Sequence, residues 1–200
     1  MWPLCQNGCM THEKQALRRK LRASRRAHVV SLDQATKALL FIRPPRALLE
    51  QIPSGASIGV YAATPFEAPA NGYAKYFFES GHEIALPRFE HRGAAMEVAR
   101  ISNPHDEDDL ETGPFGLLQP SAKAQVIIPE VVFVPLLGFT ADGARIGQGG
   151  GHYDRFLANH PQVMAIGLGW DVQLLEHLPT ESHDQSLRFV VTPTRLFGAA

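Results

Sequence analysis

The sequence predicts an α/β fold in which helices cover both faces of a mostly parallel β-sheet. Short apolar runs of strand length alternate along the chain with segments of helical spacing. Several of these runs are apolar at nearly every position, as expected for strands that are buried on both faces. The chain has 200 residues, of which 44% are hydrophobic and 20% charged. That composition predicts one compact domain, which we place at 13–200 behind a disordered tail at 1–12.

The predicted elements begin with a basic amphipathic helix over Lys14 to Arg26, which carries a narrow apolar stripe. A second helix follows Asp33, a residue type that caps helix N-termini, and is interrupted at Pro44-Pro45. Further along, β-branched and apolar runs predict strands and 3.6-residue spacing predicts helices. The predicted strands are 58–62, 82–87, 95–101, 125–135, 163–167 and 188–192, and the predicted helices are 68–80, 153–159 and 171–177.

The overall charge excludes a chain-wide attraction to nucleic acid or to an acidic membrane. Nineteen Lys and Arg residues stand against twenty Asp and Glu residues, for a formal charge of −1. The start of the chain lacks the basic and apolar regions of an export signal, and no apolar stretch approaches the ~20 residues that span a bilayer. Any affinity for a nucleic acid or a membrane must therefore be local.

The two cysteines, Cys5 and Cys9, both lie in the predicted tail. The folded body therefore contains no possible disulfide, which is typical of a reducing compartment, and we expect a cytoplasmic protein. A C-x3-C pair without a second pair of ligands favours a tail over a zinc site.

The most informative segment runs from Gly138 to Leu157, between a buried strand and a helix. Four glycines among positions 147–151 permit positive φ angles and a close approach of the backbone to a ligand. Free amides in such a loop and the start of the next helix form an anion site, to which Arg145 adds a charge. His152 stands where a P-loop or a dinucleotide fingerprint requires another residue, so neither motif is present. A glycine-rich turn without a ligand is the alternative.

Three carboxylates are candidate site residues. Asp154 falls in the first turn of the predicted helix, where it either caps the helix or, beside a triphosphate, binds Mg²⁺. A magnesium site needs a second carboxylate, and Asp184 is the candidate. Glu67 lies between a strand and a helix, and it is either a helix-start carboxylate or, with Phe66, a group that recognises a flat heterocycle.

The basic helix has three possible roles. Its seven basic residues form a solvated surface, a nucleic-acid stripe, or a source of one or two charges for a phosphate site in the body. Solvation is the default for most of them. Lys14 and Arg18 lie four positions apart on one helix face, so both can reach the same polyphosphate.

These residues together resemble the 5-formyltetrahydrofolate cyclo-ligases, also called methenyltetrahydrofolate synthetases. The family's K-x-x-L-R motif is similar to 14–18, and its R-x-G-x-G-x-G-[YF]-Y-D loop is similar to 145–154. The resemblance runs from about Lys14 to Pro193, with the motifs in the same order. The glycine loop with its terminal Tyr-Asp is specific, whereas the N-terminal motif alone is weak.

The resemblance implies a Rossmann-like three-layer α/β/α fold and an ATP-dependent, Mg²⁺-dependent reaction. The family cyclises 5-formyltetrahydrofolate to 5,10-methenyltetrahydrofolate and releases ADP and phosphate. A formamide oxygen is a poor leaving group, so its phosphorylation activates the carbon for attack by the folate N10 atom, an intramolecular step.

The resemblance also implies roles for individual residues. Residues implied to bind ATP are Lys14, Arg18, Arg145, Ile146, Gly147, Gln148, Gly149, Gly150, Gly151, His152 and Tyr153. The folate would contact Ala62, Glu67, Phe115 and Tyr153. Mg²⁺ would be held by Asp154 and Asp184. The residues implied to act in catalysis are Lys14, Arg145 and Tyr153.

The chain departs from the family pattern at two positions. Thr140 replaces the usual Asp, and His152 replaces the usual Tyr or Phe. We interpret His152 as a neutral aromatic substitute rather than as a proton donor to a phosphate. Two other functions stay open: a folate or nucleotide binder without turnover, and a nucleic-acid-binding module that uses the basic helix. Retention of all the charged motif residues favours the enzyme.

Overall fold

The computed structural model describes residues 6–198, and the side chains from residue 12 onward. Its helices are α1 (Gln6–Ser31), α2 (Gln34–Leu39), α3 (Arg46–Leu49), α4 (Asn71–Glu79) and α5 (His152–Asn159), with a single 3₁₀ turn at Asp171–Gln173. Its strands are β1 (Ile58–Gly59), β2 (Ile84–Arg88), β3 (Glu97–Ile101), β4 (Leu110–Thr112), β5 (Leu118–Pro120), β6 (Val131–Pro135), β7 (Gly138–Phe139), β8 (Arg145–Ile146), β9 (Met164–Leu168), β10 (Phe189–Val191) and β11 (Leu196–Gly198).

The central sheet has seven strands in the order β11-β10-β9-β6-β1-β2-β3. The strands from β10 to β2 pair in parallel, and the edge strands β3 and β11 pair antiparallel. The mostly parallel sheet predicted from the sequence is therefore confirmed. Strands β2 and β3 are added in turn on one side of β1, and strands β9, β10 and β11 are added in turn on the far side of β6. The direction reverses between β1 and β6, where open α/β sheets bind ligands.

The central strand β6 shows why the fold has three layers. Its residues Val131 and Phe133 belong to the core cluster that contains α4, whereas Val132 and Val134 belong to the cluster that contains α5. All four are 0% exposed. Each such side chain contributes roughly 1.5–3 kcal/mol by burial, so the strand needs a helical layer on each face.

Helix α1 packs on the body through a face that differs from the predicted apolar stripe. Ala16 and Ala23, which were part of that stripe, are exposed, and Leu17 is half-buried. The buried positions are Lys14, Leu21, Arg25 and Val29. They are spaced seven, four and four residues apart, so they share one face, on which two charged side chains point inward. The stripe predicted at Ala16, Leu17, Leu21 and Ala23 was right at the two leucines and wrong at the two alanines, because apolar character alone identified it.

Several elements are shorter than predicted. The predicted strand 125–135 contains Pro129, which has no N–H to donate, and β6 begins only after it. Only two residues of the predicted strand 58–62 form the strand β1, although the Val60 amide still donates to the Ala85 carbonyl at 2.9 Å. The predicted helix 171–177 is a single 3₁₀ turn. The cap at Asp33 is confirmed, because its side chain accepts from the Thr36 amide at 2.8 Å.

The short strands β4, β5, β7, β8 and β11 escaped the sequence analysis, because two or three residues show no period. At the N-terminus, the backbone of 6–12 continues α1. Residues 1–5 lie outside the described residues, so the tail expected there stays a prediction. The Cys5 and Cys9 side chains also lie outside the described part. Among the described helices, none is both long and apolar enough to cross a membrane.

Candidate active site

A cavity of about 560 Å³ lies at the carboxyl ends of β1, β2 and β6. Tyr61, Pro87 and Pro135 line it at the ends of these three strands. Phe66, predicted to act with Glu67 on a flat heterocycle, does not line this cavity. All the residues implied to bind nucleotide, metal or folate by the family resemblance do line it. They are Lys14, Arg18, Ala62, Glu67, Phe115, Arg145, Ile146, Gly147, Gln148, Gly149, Gly150, Gly151, His152, Tyr153, Asp154 and Asp184.

The glycine loop at 147–151 connects β8 to α5. Gly149 and Gly151 have φ angles of 104° and 63°, which side chains rarely adopt. Gly151 occupies the position before the first turn of α5. Helix α1 supports the loop from outside the sheet, since Arg18 Nε donates to the Gly147 carbonyl at 3.1 Å and Arg22 Nη2 to the Gln148 carbonyl at 3.1 Å. The backbone therefore favours glycine at positions 149 and 151.

Lys14 is buried between two carboxylates. Its Nζ atom lies 2.6 Å from Glu181 Oε2 and 2.6 Å from Asp184 Oδ2. Burial lowers the pKa of Lys14, but the hydrogen bonds and charges of Asp184 and Glu181 outweigh burial and raise it. Burial raises the pKa of Asp184, and the opposing hydrogen bonds from Lys14 and the Glu181 amide lower it overall. Both groups are therefore charged at neutral pH.

Arg145 forms the second buried ion pair of the cavity. Its Nη2 donates to Asp154 Oδ1 at 2.7 Å, and its Nη1 donates to the Gln185 carbonyl. Asp154 Oδ1 also accepts from the Gln185 amide at 3.2 Å. Burial lowers the pKa of Arg145, and the charge of Asp154 partly offsets this. The segment that carries Asp184 and Gln185 is thereby held against α5.

The carboxylates of this end of the cavity form a donor set that suits Mg²⁺. Among the described residues, Asp154 Oδ2 and Asp184 Oδ1 accept no hydrogen bond. Glu181, His183 and Asp184 also offer ligand atoms that lie within 4.8 Å of one another. Magnesium prefers carboxylate and water oxygens, so Asp154 and Asp184 fit the metal. Asp154 does not belong to that cluster, and Glu181 escaped the sequence analysis.

Glu67 is buried in the wall of the same cavity, beside Gln148 of the glycine loop. Its Oε2 accepts from the Thr64 amide at 2.9 Å, and its Oε1 accepts from Gln148 Nε2 at 3.3 Å. The helix-start alternative is wrong, because α4 begins four residues later, at Asn71, and the carboxylate instead closes a turn with Thr64. Arg25 supplies the countercharge, with Nη1 3.5 Å from Glu67 Oε1.

The Tyr153 hydroxyl is buried and has no hydrogen-bond partner among the described residues. Burial raises the pKa of Tyr153, and the charge of Glu67 raises it further, so the hydroxyl keeps its proton. A buried hydroxyl without a partner costs about 1–3 kcal/mol. Because Tyr153 lines the cavity, a ligand can supply the missing partner.

Phe89, Phe115 and His152 form an aromatic wall of the cavity. The ring centroids lie 5.0 Å apart for Phe89 and Phe115, 4.8 Å for Phe89 and His152, and 5.7 Å for Phe115 and His152. Burial lowers the pKa of His152, and the charge of Arg155 lowers it further. The imidazole therefore favours its neutral form, and the wall presents flat apolar surface to a ligand.

The sequence analysis missed Arg25, Glu181 and Phe89. Arg25 lies seven positions after Arg18 and eleven after Lys14, so a continuation of their helix face would have found it. Glu181 lies three residues before Asp184 and binds the same Lys14. No sequence pattern around Phe89 identifies it as a site residue, because only the fold brings its ring into contact with Phe115 and His152.

The sequence was compared with protein-family models. The model of the 5-formyltetrahydrofolate cyclo-ligase family matches residues 10–193. This chain belongs to that family. The family assignment made from the motifs is thereby confirmed, and the chain is a member of an enzyme family.

Known relatives carry the same family name. The 5-formyltetrahydrofolate cyclo-ligase of Mycolicibacterium smegmatis is 30% identical over 149 residues, which are 71% of this chain and 76% of that protein. The Escherichia coli (strain K12) cyclo-ligase is 29% identical over 147 residues, 70% and 80% of the two chains. The mouse cyclo-ligase is 23% identical over 185 residues, 87% and 90%.

Solved structures confirm the fold. The NMR structure of 5,10-methenyltetrahydrofolate synthetase from Aquifex aeolicus has a TM-score of 0.73 and 22% identity, and covers 93% of this chain and 92% of its own. The synthetase from Mycoplasma pneumoniae has a TM-score of 0.64 and 19% identity, and covers 94% and 99%. The α/β fold predicted for cyclo-ligases is the fold of this chain.

Proposed function

We propose that this chain converts 5-formyltetrahydrofolate to 5,10-methenyltetrahydrofolate, with ATP as the second substrate, Mg²⁺ as the metal cofactor, and ADP and phosphate as the other products. The observation that carries the proposal is one cavity that joins an anion-binding end to an end suited to a flat heterocycle. The cyclo-ligase family of the chain supports the same reaction.

The nucleotide occupies the end of the cavity formed by the glycine loop. Free amides of 147–151 and the start of α5 face the triphosphate, and this arrangement favours negative charge. Lys14, Arg18 and Arg145 add positive charge from α1 and β8. These groups compensate the charge that develops on the phosphoryl oxygens during transfer.

Asp154 and Asp184 would hold Mg²⁺, because each has a carboxylate oxygen that accepts no hydrogen bond within the described part of the chain. The ion would neutralise phosphate charge on the nucleotide. Lys14 and Arg145 then exchange part of their contact with these two carboxylates for contact with the nucleotide.

The folate occupies the other end. The Glu67 carboxylate accepts N–H groups from the edge of the pterin ring. The aromatic wall, with Phe115 at its outer side, packs on the flat part of the substrate, and Ala62 lies against the pterin. Tyr153 gains the hydrogen-bond partner that its hydroxyl lacks.

The chemistry proceeds in two steps. The formyl oxygen attacks the γ-phosphorus, a new O–P bond forms, the bond to the β-phosphate oxygen breaks, and ADP leaves. The N10 atom then attacks the formyl carbon, phosphate leaves, and N10 loses its proton to solvent. Lys14 and Arg145 stabilise the transferred phosphoryl group, and Tyr153 lies between the two substrates.

The location and partners follow from the same chemistry. The substrates are small molecules, so the proposal requires neither a nucleic acid nor a membrane. The absence of cysteine from residues 10–200 suits a reducing compartment such as the cytoplasm.

The absorbance of the methenyl chromophore tests the proposal. Purified protein is mixed with 5-formyltetrahydrofolate and Mg²⁺, with and without ATP, and ADP is measured in the same samples. An ATP-dependent rise with one ADP per methenyl group is expected. A folded protein that binds both ligands without a rise would be a binder without turnover. Salt-sensitive retention of RNA or DNA without folate binding would instead support the nucleic-acid module.

A further inference from the structure

Arg25 lies in α1 between Arg22 and Arg26, yet its environment differs from theirs. Arg25 is 5% exposed, whereas Arg22 and Arg26 are exposed to solvent. Its Nη1 atom donates to the Leu136 carbonyl at 3.3 Å and lies 3.5 Å from Glu67 Oε1. The side chains of Arg25 and Glu67 are 6% and 7% exposed, so water screens the pair weakly.

Arg25 does not line the cavity, whereas Glu67 does. The guanidinium therefore lies behind the carboxylate, on the side away from the ligand. Its Nε atom is buried without a partner among the described residues. An incompletely paired buried charge is weak evidence for a stabilising role, because apolar groups of similar volume often stabilise as well or better. A functional role for Arg25 explains why the charge is retained.

The contacts of Glu67 show what that role is. Glu67 Oε1 lies 3.5 Å from Arg25 Nη1 and accepts a hydrogen bond from Gln148 Nε2, whereas Oε2 accepts one from the Thr64 amide. Of these three partners, Arg25 alone carries a charge. Without Arg25, the buried Glu67 carboxylate would lose its charged partner and one of the three contacts that fix its orientation.

We propose that Arg25 is a positioning residue for the folate: from behind the cavity wall it holds the Glu67 carboxylate in place and oriented toward the substrate. The inference rests on the proposed function, because it takes Glu67 as the folate anchor. It also gives α1 two tasks. Lys14 and Arg18 serve the nucleotide end directly, and Arg25 serves the folate end through Glu67.

A double-mutant cycle tests the inference. The variants are Arg25→Gln, Glu67→Gln and the double variant, with Arg19→Gln, an exposed arginine of the same helix, as the matched control. Calorimetry measures the Kd of 5-formyltetrahydrofolate and of Mg·ADP for each folded variant. Arg25→Lys keeps a charge and loses the planar fork, so it should restore part of the folate affinity.

We expect Arg25→Gln to weaken folate binding about tenfold and to leave Mg·ADP binding within about twofold, as does Glu67→Gln, since charged hydrogen bonds are worth a factor of this order. The double variant should bind folate no more weakly than Glu67→Gln alone, because residues that act through one another are non-additive. Arg19→Gln should match the wild type.

Two outcomes would overturn the inference. In one, the losses of the two single variants multiply in the double variant, so Arg25 acts independently of Glu67. In the other, Arg25→Gln weakens the binding of 5-formyltetrahydrofolate and of Mg·ADP equally, as a general structural defect would. If Arg25→Gln does not fold, the cycle with Arg25→Lys decides by the same criterion. A wild-type protein that neither binds nor converts folate would instead refute the proposed function itself.

Discussion

The two ends of the cavity differ in how their charges are paired. At the nucleotide end, the cations are paired with the carboxylates assigned to the metal: Lys14 with Asp184, and Arg145 with Asp154, at 2.6 and 2.7 Å. At the folate end, the carboxylate Glu67 has its countercharge outside the cavity. A ligand at the nucleotide end must therefore exchange existing partners, whereas a ligand at the folate end meets a preformed anchor.

The difference suggests how the protein handles two unlike substrates. A triphosphate with Mg²⁺ carries both signs of charge, so it can replace both members of an ion pair without leaving either unpaired. A nearly neutral heterocycle cannot replace the members of an ion pair. It needs a hydrogen-bond acceptor that is already fixed and a hydrogen-bond donor that has no other partner. Glu67 and the Tyr153 hydroxyl supply these two groups.

The largest effect should come from Asp154→Asn, which removes a proposed metal ligand charge from the nucleotide end of the cavity. The amide still accepts from Arg145 but gives the metal no charge. We expect kcat/KM for Mg·ATP to fall by about 100-fold or more, while the Kd of the folate stays unchanged. Steady-state kinetics with each substrate varied checks this, with the exposed Asp108→Asn as control. ATP-dependent turnover at the wild-type rate would remove Asp154 from the mechanism.

The next effect should come from Glu67→Gln at the folate end. Gln keeps the volume and one acceptor but loses the charge, so folate binding should weaken about tenfold. The KM of ATP should not change. Kinetics at saturating ATP measures the folate KM, with the exposed Glu90→Gln as control. An equal rise in both KM values would contradict the separation of the two ends.

A smaller effect is expected for Tyr153→Phe. This variant should lower turnover without lowering the free energy of unfolding, so it separates a role in activity from a role in stability. Turnover should fall about fivefold, since the substrate loses one hydrogen bond. The free energy of unfolding should stay the same or rise by up to about 1 kcal/mol, because a buried hydroxyl without a partner is removed. Urea denaturation without ligands measures this. A loss of stability above that size would show that the hydroxyl has a partner in the free protein.

The smallest effect is expected for His152→Phe. The imidazole packs edge-on against Phe89 and Phe115, and the pKa lowered by burial keeps it neutral. A phenyl ring fills the same place in the aromatic wall, so activity at pH 7.5 should stay within about twofold. A loss above tenfold in the methenyl assay would show that an imidazole nitrogen takes part.

The sequence was sufficient to predict the parallel sheet and the glycine loop, but not the shortest strands. The glycine loop was found because its backbone demands glycine at fixed spacing, and Gly149 and Gly151 have the positive φ angles that this implies. The parallel sheet was found because buried strands are apolar at every position. Short strands such as β7 and β8 have too few residues to show a period, and only packing defines them.

Arg25 shows where prediction from the sequence ends. Arg22, Arg25 and Arg26 are the same residue type on one basic helix, and only Arg25 is buried. Which of them turns inward depends on where Glu67, distant in sequence, reaches α1. The family motifs are short runs of neighbouring residues, whereas Arg25 and Glu67 meet only through the fold.

The most direct test of a cavity with two separate ends is a crossed titration. Mg·ADP and 5-formyltetrahydrofolate are each titrated into wild-type protein, Asp154→Asn and Glu67→Gln by calorimetry. We predict that Asp154→Asn loses affinity for Mg·ADP alone and that Glu67→Gln loses affinity for the folate alone. Loss of both affinities in either folded variant, or the reverse assignment, would contradict the account.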